Sequence, residues 1–357
     1  METSFIKFLK HKRDFYHVLI ENELTRFWEN PSLKQQTGIK NIQDILSFIP
    51  AALGRPSFNF FDAQSKKLRP ILGLLMMQAL GLKQAERFEK YLILPEILHS
   101  SSLIIDDIED SATTRRNAPC LHIKYGIDTA VNVANAVYFL PFAYILRSAI
   151  PQNYKIKICS LVTESMNRLH LGQGLDILWH KNQIWSITPN QYLVMAKLKT
   201  ASFFKLEAEL AVLFSKTNNV IAEKSRSFAE NIGVAFQIID DTLDLTVNKQ
   251  ETRLFGKRFA QDITEGKKTL LVIYALERAS AKDRKELIKL LSLHTKNNGL
   301  INIAIKIIKK YNCIIDAELY AAKLIQESWE DFQAALIPSK AKDYLQLFCR
   351  FIIERRF

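Results

Sequence analysis

The sequence predicts an all-α protein, and three features of the 357-residue chain support this. Glycine and proline are sparse, with 11 and 10 copies, so few positions demand a turn or break a helix. Long segments space their apolar residues three and four positions apart, which is the period of a helix with one buried face. Alternating runs bounded by turn residues, which would indicate strands, are hard to find. Hydrophobic residues make up 48% of the chain, enough for a sizeable core.

The helical pattern recurs along most of the chain. It is carried by segments 71–80, 87–110, 155–178, 191–214, 221–245, 268–278 and 300–357. Residues 1–40 are polar and mixed in charge, so we predict a separate helical extension packed on a main domain at 41–357. Two loops interrupt the helices, one at 112–125 with two adjacent arginines and one at 248–268 that is rich in charge.

Bulk properties narrow the possible functions. The formal net charge of +12 favours an anionic partner, either a nucleic acid, a membrane surface or a phosphorylated metabolite, although an unspecialised basic surface explains it equally well. The four cysteines form no Cys-x-x-Cys pair, and reduced thiols fit a cytoplasmic protein. The N-terminus lacks the apolar core of a secretory signal. The most apolar stretch, 131–146, is too short to span a bilayer, so we predict a buried core helix and no transmembrane segment.

One short motif occurs twice and carries the chemistry. Each copy follows an apolar run and places aspartates at positions i, i+1 and i+4. They are Asp106, Asp107 and Asp110 in the first copy and Asp240, Asp241 and Asp244 in the second. On a helix, the first and last of each trio share one face, and such like charges require counter-cations. Hard divalent cations bind carboxylate oxygens, and Mg²⁺ commonly shares its site with phosphates. Two copies facing one cavity would hold several Mg²⁺ ions around a diphosphate, whereas exposed acidic helix ends are the alternative.

The motif pair resembles the first and second aspartate-rich motifs of trans-isoprenyl diphosphate synthases. Further segments match this family in order. They are Ser65-Lys66-Lys67-Leu68-Arg69-Pro70, Glu96-Ile97-Leu98-His99, Thr114-Arg115-Arg116-Asn117-Ala118-Pro119, Gly172-Gln173-Gly174-Leu175-Asp176, Lys199-Thr200, Gly256-Lys257, Gln261-Asp262-Ile263-Thr264-Glu265-Gly266-Lys267 and Ile352-Ile353-Glu354-Arg355. The resemblance covers roughly residues 40–357 and is closest to geranylgeranyl diphosphate synthases of the eukaryotic type.

This resemblance implies an isoprenoid-synthase fold, a helical bundle around a deep central cavity. It also implies a Mg²⁺-dependent condensation of isopentenyl diphosphate with dimethylallyl, geranyl or farnesyl diphosphate, with three ions in each site. The metal ligands would be Asp106, Asp110 and Asp240, with Asp176 facing them and Asp107, Asp241 and Asp244 supporting them directly or through water. The allylic diphosphate would bind Arg115, Lys199 and Lys257, and isopentenyl diphosphate would bind Lys66, Arg69, His99 and Arg116. Thr200 and Gln237 would line the reacting centre, and Lys267 would add positive charge above it.

The resemblance also suggests the length of the product. Ser101 and Ser102 precede the first motif and are small, so no early floor at C15 is expected. Tyr138, Phe139 and His170 match the residues that close the tunnel below a C20 chain in eukaryotic-type enzymes. We therefore predict geranylgeranyl diphosphate as the main product. Aromatic core residues at helical spacing are the alternative explanation.

Several positions depart from the family pattern, and several other functions compete. The departures are Gln64, Ser65, Lys67 and Asn117; each leaves the charged groups in place, so activity is still expected.

A class I terpene cyclase shares the fold, but the intact second motif favours the synthase. A non-catalytic regulatory subunit of a heteromeric synthase is disfavoured by the intact aspartates of both motifs. No zinc, RNA-recognition or helix-turn-helix signature supports a nucleic-acid binder. Members of this family are usually homodimers, so the resemblance implies a homodimer.

Overall fold

The computed structural model describes residues 1–28, 48–61, 65–246 and 259–355 and shows the predicted all-α fold. Its helices are α1 (Glu2–Trp28), α2 (Arg55–Phe61), α3 (Leu68–Ala79), α4 (Glu89–Glu109), α5 (Leu121–Tyr125), α6 (Ile127–Arg147), α7 (Gln152–Lys181), α8 (Pro189–Lys199), α9 (Ala201–Ser215), α10 (Asn219–Thr246), α11 (Gln261–Glu265), α12 (Leu270–Arg278), α13 (Ala281–Ser292), α14 (Asn298–Lys310), α15 (Cys313–Gln333) and α16 (Lys340–Glu354). A π-helical turn at Pro50–Gly54 and a 3₁₀ turn at Ala85–Phe88 precede α2 and α4.

A small β-hairpin lies in the first of the two predicted loops. Strands β1 (Thr114–Arg115) and β2 (Ala118–Pro119) pair antiparallel, with Thr114 opposite Pro119. The two residues of its turn, Arg116 and Asn117, have positive φ angles of 51° and 64°. Asparagine tolerates this conformation better than most residues. The hairpin therefore holds the two adjacent arginines in a defined place beside α4.

The centre of the bundle is α3, which is buried on all sides except at Gln78. A helix that is apolar all round must lie inside a core. It packs against α4, α9 and α16, and α10 in turn packs against α9 and α15. The predicted segment 191–214 divides at Thr200, where α8 ends and α9 begins.

Two glycines allow close helix crossings at this junction of α8 and α9. A Cβ atom on Gly172 of α7 would lie 2.4 Å from the backbone nitrogen of Lys199. A Cβ atom on Gly233 of α10 would lie 2.5 Å from the Cα atom of Ala201. Since real Cβ atoms do not approach so closely, only glycine permits these crossings. They bring the backbone around Thr200 against two long helices.

The N-terminal helix α1 packs against α3, α4 and α16. Its buried side chains include Phe5, Tyr16 and Leu24, and Lys12 bonds Glu89 of α4 at 2.7 Å. Apolar burial of this extent holds the helix on the same core as the rest of the bundle. The predicted domain boundary at residues 40 and 41 lies outside the described residues and stays a prediction.

Helix α6 is longer and more exposed than the sequence prediction of a buried core helix. One face, with Ala134 and Val137, is buried beside α4, while Phe139 and Leu146 are exposed on the other. Among the described residues, it is the one helix with the length and apolar composition to cross a membrane, and 39% of its most apolar window is buried. A core helix passes the same test, so this is weak evidence for a membrane span. The prediction of a buried core helix therefore holds for one face, because the other face does not meet the core.

Candidate active site

A cavity of about 560 Å³ opens between the helices and brings both aspartate motifs together. The predicted site residues that line it are Lys66, Arg69, His99, Ser102, Asp106, Arg115, Arg116, Tyr138, His170, Asp176, Lys199, Thr200, Gln237, Asp240, Asp241 and Lys267. Asp107, Asp110 and Asp244 lie outside its lining, as do Ser101 and Phe139. Lys257 lies outside the described residues. The first motif reaches the cavity from the end of α4, and the second reaches it from the C-terminal part of α10.

Cations neutralise the first motif. Negative charge at the C-terminal end of α4 is unfavourable, because the helix dipole is negative there. Arg115 donates from Nε to Oδ1 of Asp107 at 2.6 Å, and its Nη2 lies 3.4 Å from Oδ2 of Asp106. Lys267 bonds Asp110 at 2.7 Å. Burial raises the pKa of Asp107. The β-hairpin and the segment after α11 thus supply the counter-charge that the motif requires.

The helices α7 and α8 hold Asp106 from the opposite side. Gln173 donates to Oδ1 of Asp106 at 3.1 Å and to Glu109 at 2.6 Å. Lys199 bonds Asp176 at 2.6 Å and lies 3.6 Å from Asp106. Although burial opposes the charge of Lys199, these two carboxylates raise its pKa above the ordinary value. The ammonium group therefore stays charged inside the cavity.

The second motif is held by one cation and two neutral donors. Arg355 bonds Asp240 at 2.5 Å, and its guanidinium lies 3.7 Å above the ring of Phe236. Tyr192 and Gln237 donate to the two oxygens of Asp241 at 2.6 and 2.7 Å. Burial raises the pKa of this carboxyl group. The motif's inner carboxylates are thus fixed before any ligand arrives.

Asp244 has a different setting from the other members of its motif. Its oxygens accept the backbone N–H groups of Gln261 and Asp262, each at 3.1 Å. It therefore satisfies free donors at the start of α11, as a capping carboxylate does. Its predicted support of the metal stays a prediction.

Basic side chains crowd the end of the cavity next to α3. Lys67 and Arg69 lie 3.6 and 3.5 Å from the carboxylate of Glu96. Burial and the nearby Arg355 lower the pKa of Lys66 to about 8, and burial lowers that of Arg116 to about 10. Burial and mutual repulsion destabilise the charged forms of these side chains, so an anionic ligand with several oxygens would be bound favourably here.

His99 lies beside this basic cluster and remains neutral. Its ring is 6.2 Å from that of Phe203, centroid to centroid. Burial and the charge of Arg69 hold the pKa of His99 well below its ordinary value. A neutral imidazole can donate one hydrogen bond to a phosphate oxygen without adding to the charge repulsion.

The residues predicted to set product length do not all face the cavity. The rings of Tyr138 and His170 meet at 5.9 Å between centroids, and both line the cavity. Phe139 is 69% exposed, because adjacent helical residues point about 100° apart. Ser101 is buried and donates to the backbone carbonyl of Ala134. Within this chain, Phe139 therefore points away from the cavity, and Ser102 lines it while Ser101 does not. The roles of these residues in product length stay predictions.

Several lining residues were not among the predicted site residues. Among them are Glu109, Tyr192, Asp262 and Lys268. Glu109 and Asp262 fall inside matched motifs, and Lys268 directly follows one, so proximity to the motifs could have suggested all three. Tyr192 carries no local signal, because its partner Asp241 lies 49 positions away.

The carboxylates suit a divalent metal in chemistry but are not gathered around one point. Among the described residues, no three His, Cys, Asp or Glu side chains form a ready metal-binding group. Their oxygens are the ligand type that Mg²⁺ prefers, and one buried oxygen of Asp107 has no partner in the described structure. Lysine and arginine now fill the role of counter-ions. The residues therefore fit a metal once those cations turn elsewhere.

Comparisons with known proteins agree with this geometry. The family model for polyprenyl synthetase matches residues 50–308. The geranylgeranyl diphosphate synthase of Sulfolobus acidocaldarius is 31% identical over 327 residues, covering 89% of this chain and 96% of the relative. A protein named terpene synthase from Matsumurasca onukii is 29% identical over 283 residues, covering 76% and 88%.

A solved structure is similar over nearly the whole length. The geranylgeranyl pyrophosphate synthetase of Pyrococcus horikoshii superposes with a TM-score of 0.80 at 27% identity, covering 99% of each chain. The fold is therefore the isoprenoid-synthase bundle that the motifs predicted. Since the family model spans more than half of its length, the chain belongs to the polyprenyl synthetase family, which is the trans-isoprenyl diphosphate synthase family.

Proposed function

We propose that the protein is a Mg²⁺-dependent prenyltransferase that joins isopentenyl diphosphate to an allylic diphosphate, with geranylgeranyl diphosphate as its main product. The observation that carries this is one cavity with carboxylates of both aspartate motifs at its walls and a buried basic cluster at one end. Family membership and the geranylgeranyl diphosphate synthases among the relatives support it.

The two diphosphates would occupy different parts of the cavity. Arg115 and Lys199, which now neutralise the first motif, would grip the allylic diphosphate, together with Lys257. The basic cluster of Lys66, Arg69 and Arg116 would hold isopentenyl diphosphate. Arginine forks suit phosphate oxygens, and lysine adds a compact charge. Burial of the basic cluster is unfavourable without such a ligand. Arg115 and Lys199 would exchange their carboxylate partners for phosphate oxygens.

Metal ligation would fall to the carboxylates at the walls. We assign Asp106, Asp176 and Asp240 of the lining, together with Asp110 just outside it, to three ions in each site, with Asp107, Asp241 and Asp244 in support. When bound, Mg²⁺ neutralises the leaving diphosphate and so stabilises its departure.

Each round of the reaction is one condensation that adds five carbons. The carbon–oxygen bond of the allylic diphosphate breaks and leaves an allylic carbocation. The double bond of isopentenyl diphosphate supplies the electron pair of the new carbon–carbon bond, and a proton then passes to the departed diphosphate. Thr200 and Gln237, which are hydrogen-bonded to each other and line the cavity, would face the reacting carbons. Leu103, Leu169 and Phe203 line the cavity and exclude water that would trap the cation.

Turnover with labelled isopentenyl diphosphate and each allylic starter, with and without Mg²⁺, tests the proposal. We expect labelled C20 diphosphate that requires both substrates and the metal. Consumption of an allylic diphosphate alone, with a hydrocarbon product, would instead identify a terpene cyclase. One relative is named terpene synthase, which is why this alternative is tested. Inactivity with every starter would favour a regulatory subunit.

We also propose a cytoplasmic homodimer that binds no nucleic acid. The exposed apolar side chains of α6 and α7, among them Phe139, Leu146, Ile156 and Leu171, support a second copy as the partner. Burying such a face removes apolar area from water. Light scattering at micromolar concentration should give twice the mass of one chain, and Phe139→Glu should lower it. A monomer at all concentrations would contradict this.

Replacing Tyr138 by alanine is expected to lengthen the product. The ring lines the cavity and contacts His170, so its removal opens space along the path of the growing chain. Each further unit adds five carbons, and we expect C25 and longer products in mass spectra. Phe139→Ala is the matched control, because its side chain is exposed and should leave the monomer's cavity unchanged. Equal lengthening by both variants would place the floor elsewhere.

Replacing Tyr192 by phenylalanine is expected to weaken metal binding. A hydrogen bond to an ionised carboxylate, the form that would support a metal, contributes roughly 1.5–3 kcal/mol, so the Mg²⁺ concentration for half-maximal rate should rise about ten- to hundredfold. Binding of Mn²⁺, followed by its spin resonance signal, should weaken in parallel. Tyr91→Phe removes another buried hydroxyl, one without a partner in the described structure, and should leave both values unchanged. Similar effects of the two changes would show that Asp241 needs no help from Tyr192.

A further inference from the structure

Glu207 of α9 is a fully buried acid that the proposed reaction does not use. It is 0% exposed, and neither carboxyl oxygen has a hydrogen-bond partner in the described structure. An unpaired buried carboxylate costs several kcal/mol or more, so such groups bind a proton instead. Burial raises the pKa of Glu207 well above its ordinary value and so favours the protonated form. Because a buried acid without hydrogen-bond partners destabilises the fold, its presence indicates a role other than stability.

The chain leaves room for this carboxyl group at Gly73. A Cβ atom on Gly73 would lie 2.4 Å from Oε2 of Glu207 and 2.8 Å from Cδ2 of Leu92. The acid thus occupies the space that a side chain at position 73 would take, between α3, α4 and α9. Gly73 lies one helical turn after Arg69, which is the buried arginine of the basic cluster.

The two helices align Glu207 with Arg69. The guanidinium of Arg69 lies 5.0 Å from the ring centre of Phe204, and Glu207 follows Phe204 by three positions on α9. Helical side chains lean toward the N-terminus of their own helix, so Glu207 leans toward the level of Phe204 and Arg69. Burial lowers the pKa of Arg69, while the Glu96 carboxylate, and the Glu207 carboxyl group when it is ionised, act in the opposite direction.

Arg69 itself has a vacant donor. Its Nη1 lies 3.5 Å from Glu96, at the long limit of a hydrogen bond, while its buried Nε has no partner in the described structure. A buried donor without an acceptor and a buried acceptor without a donor therefore lie in the same layer of the core. A protonated carboxyl group still accepts through its carbonyl oxygen.

We propose that Glu207 is a positioning residue for Arg69 and accepts the hydrogen bond of its Nε when the terminal nitrogens turn from Glu96 to the diphosphate of isopentenyl diphosphate. This rests on the proposed function, in which Arg69 binds that diphosphate. Holding Nε fixes the plane of the guanidinium and directs its paired N–H groups at the ligand. The acid thereby acts on affinity for one of the two substrates.

Substitution by leucine, which keeps the volume and removes the acceptor, tests this inference. Since a hydrogen bond with a charged partner contributes about 1.5–3 kcal/mol, Glu207→Leu should raise the KM for isopentenyl diphosphate roughly ten- to hundredfold. The KM for the allylic substrate should stay unchanged, and Glu207→Gln, which keeps an oxygen acceptor, should restore the affinity. Glu209→Gln is the matched control, because Glu209 bonds Arg226 away from the cavity.

Two outcomes would overturn the inference. One is a leucine variant whose two KM values are unchanged while its melting temperature shifts, and the other is an equal rise of both KM values. If leucine prevents folding, Glu207→Met provides the same test with a flexible chain. Arg69→Gln, assayed beside them, separates this inference from the proposed function. If it raises the KM for isopentenyl diphosphate and Glu207→Leu does not, Glu207 alone is misassigned; if neither does, the role of Arg69 fails.

Discussion

The variant Asp106→Asn is expected to lower kcat by about three orders of magnitude, equivalent to roughly 4 kcal/mol of transition-state stabilisation. Asp106 lies where α4 enters the cavity and is reached by Arg115, Gln173 and Lys199 at 3.4, 3.1 and 3.6 Å. An amide of the same shape keeps these positions but loses the charge that would attract a metal to the leaving diphosphate.

Single-turnover measurement with a labelled allylic substrate separates this loss of chemistry from slower product release. Asp331→Asn is the matched control, since that carboxylate is exposed and bonds Lys224 on the surface. Its rate should equal that of the unmodified protein. If Asp106→Asn retained more than a tenth of the rate, the first motif would not hold the catalytic metal.

The variant Gly172→Ala is expected to lower kcat/KM by about two orders of magnitude. The added methyl group would lie 2.4 Å from the backbone nitrogen of Lys199 and 2.8 Å from its Cα atom. Backbone atoms cannot turn aside as a flexible side chain can, so the end of α8 must move. The bond from Lys199 to Asp176, at 2.6 Å, would then be broken or misdirected. Overpacking of this kind also costs about 1–3 kcal/mol of stability.

Two positions along the same helix, Gly174 offers a matched control. A Cβ atom there meets nothing within 4 Å, and Gly174→Ala should add roughly 0.5–1 kcal/mol of stability by favouring the helix. Thermal unfolding and steady-state rates of both variants provide the comparison. The crossing would be less tight than the structure shows if Gly172→Ala behaved like Gly174→Ala.

Much of the fold could be predicted because helical period and motif order are local properties of the chain. Segments such as 87–110 and 221–245 match α4 and α10 to within a few residues. The phase of a helix is harder to predict, and Phe139 shows why. It follows Tyr138 directly, yet it faces outward, and only packing of α6 on α4 decides which of two adjacent aromatics enters the cavity.

Contacts between segments that lie far apart in the chain could not be predicted from the sequence. The bond from Tyr192 to Asp241 and the contact of Glu207 with Gly73 join residues on different helices. Neither residue has a local pattern that separates it from an ordinary core position. Capping of α11 by Asp244 has the same origin, because the start of that helix is fixed only by the folded bundle.

The neutralised motifs have a consequence for the order of loading. Asp106, Asp110, Asp176 and Asp240 each bond or approach a lysine or arginine in the free protein. A metal ion that bound alone would take the carboxylates from these lysines and arginines and leave the cations unpaired in a poorly solvated cavity. A diphosphate that binds with the metal gives the cations new anionic partners. Metal and allylic substrate should therefore bind cooperatively, and each should raise the affinity for the other by the same factor.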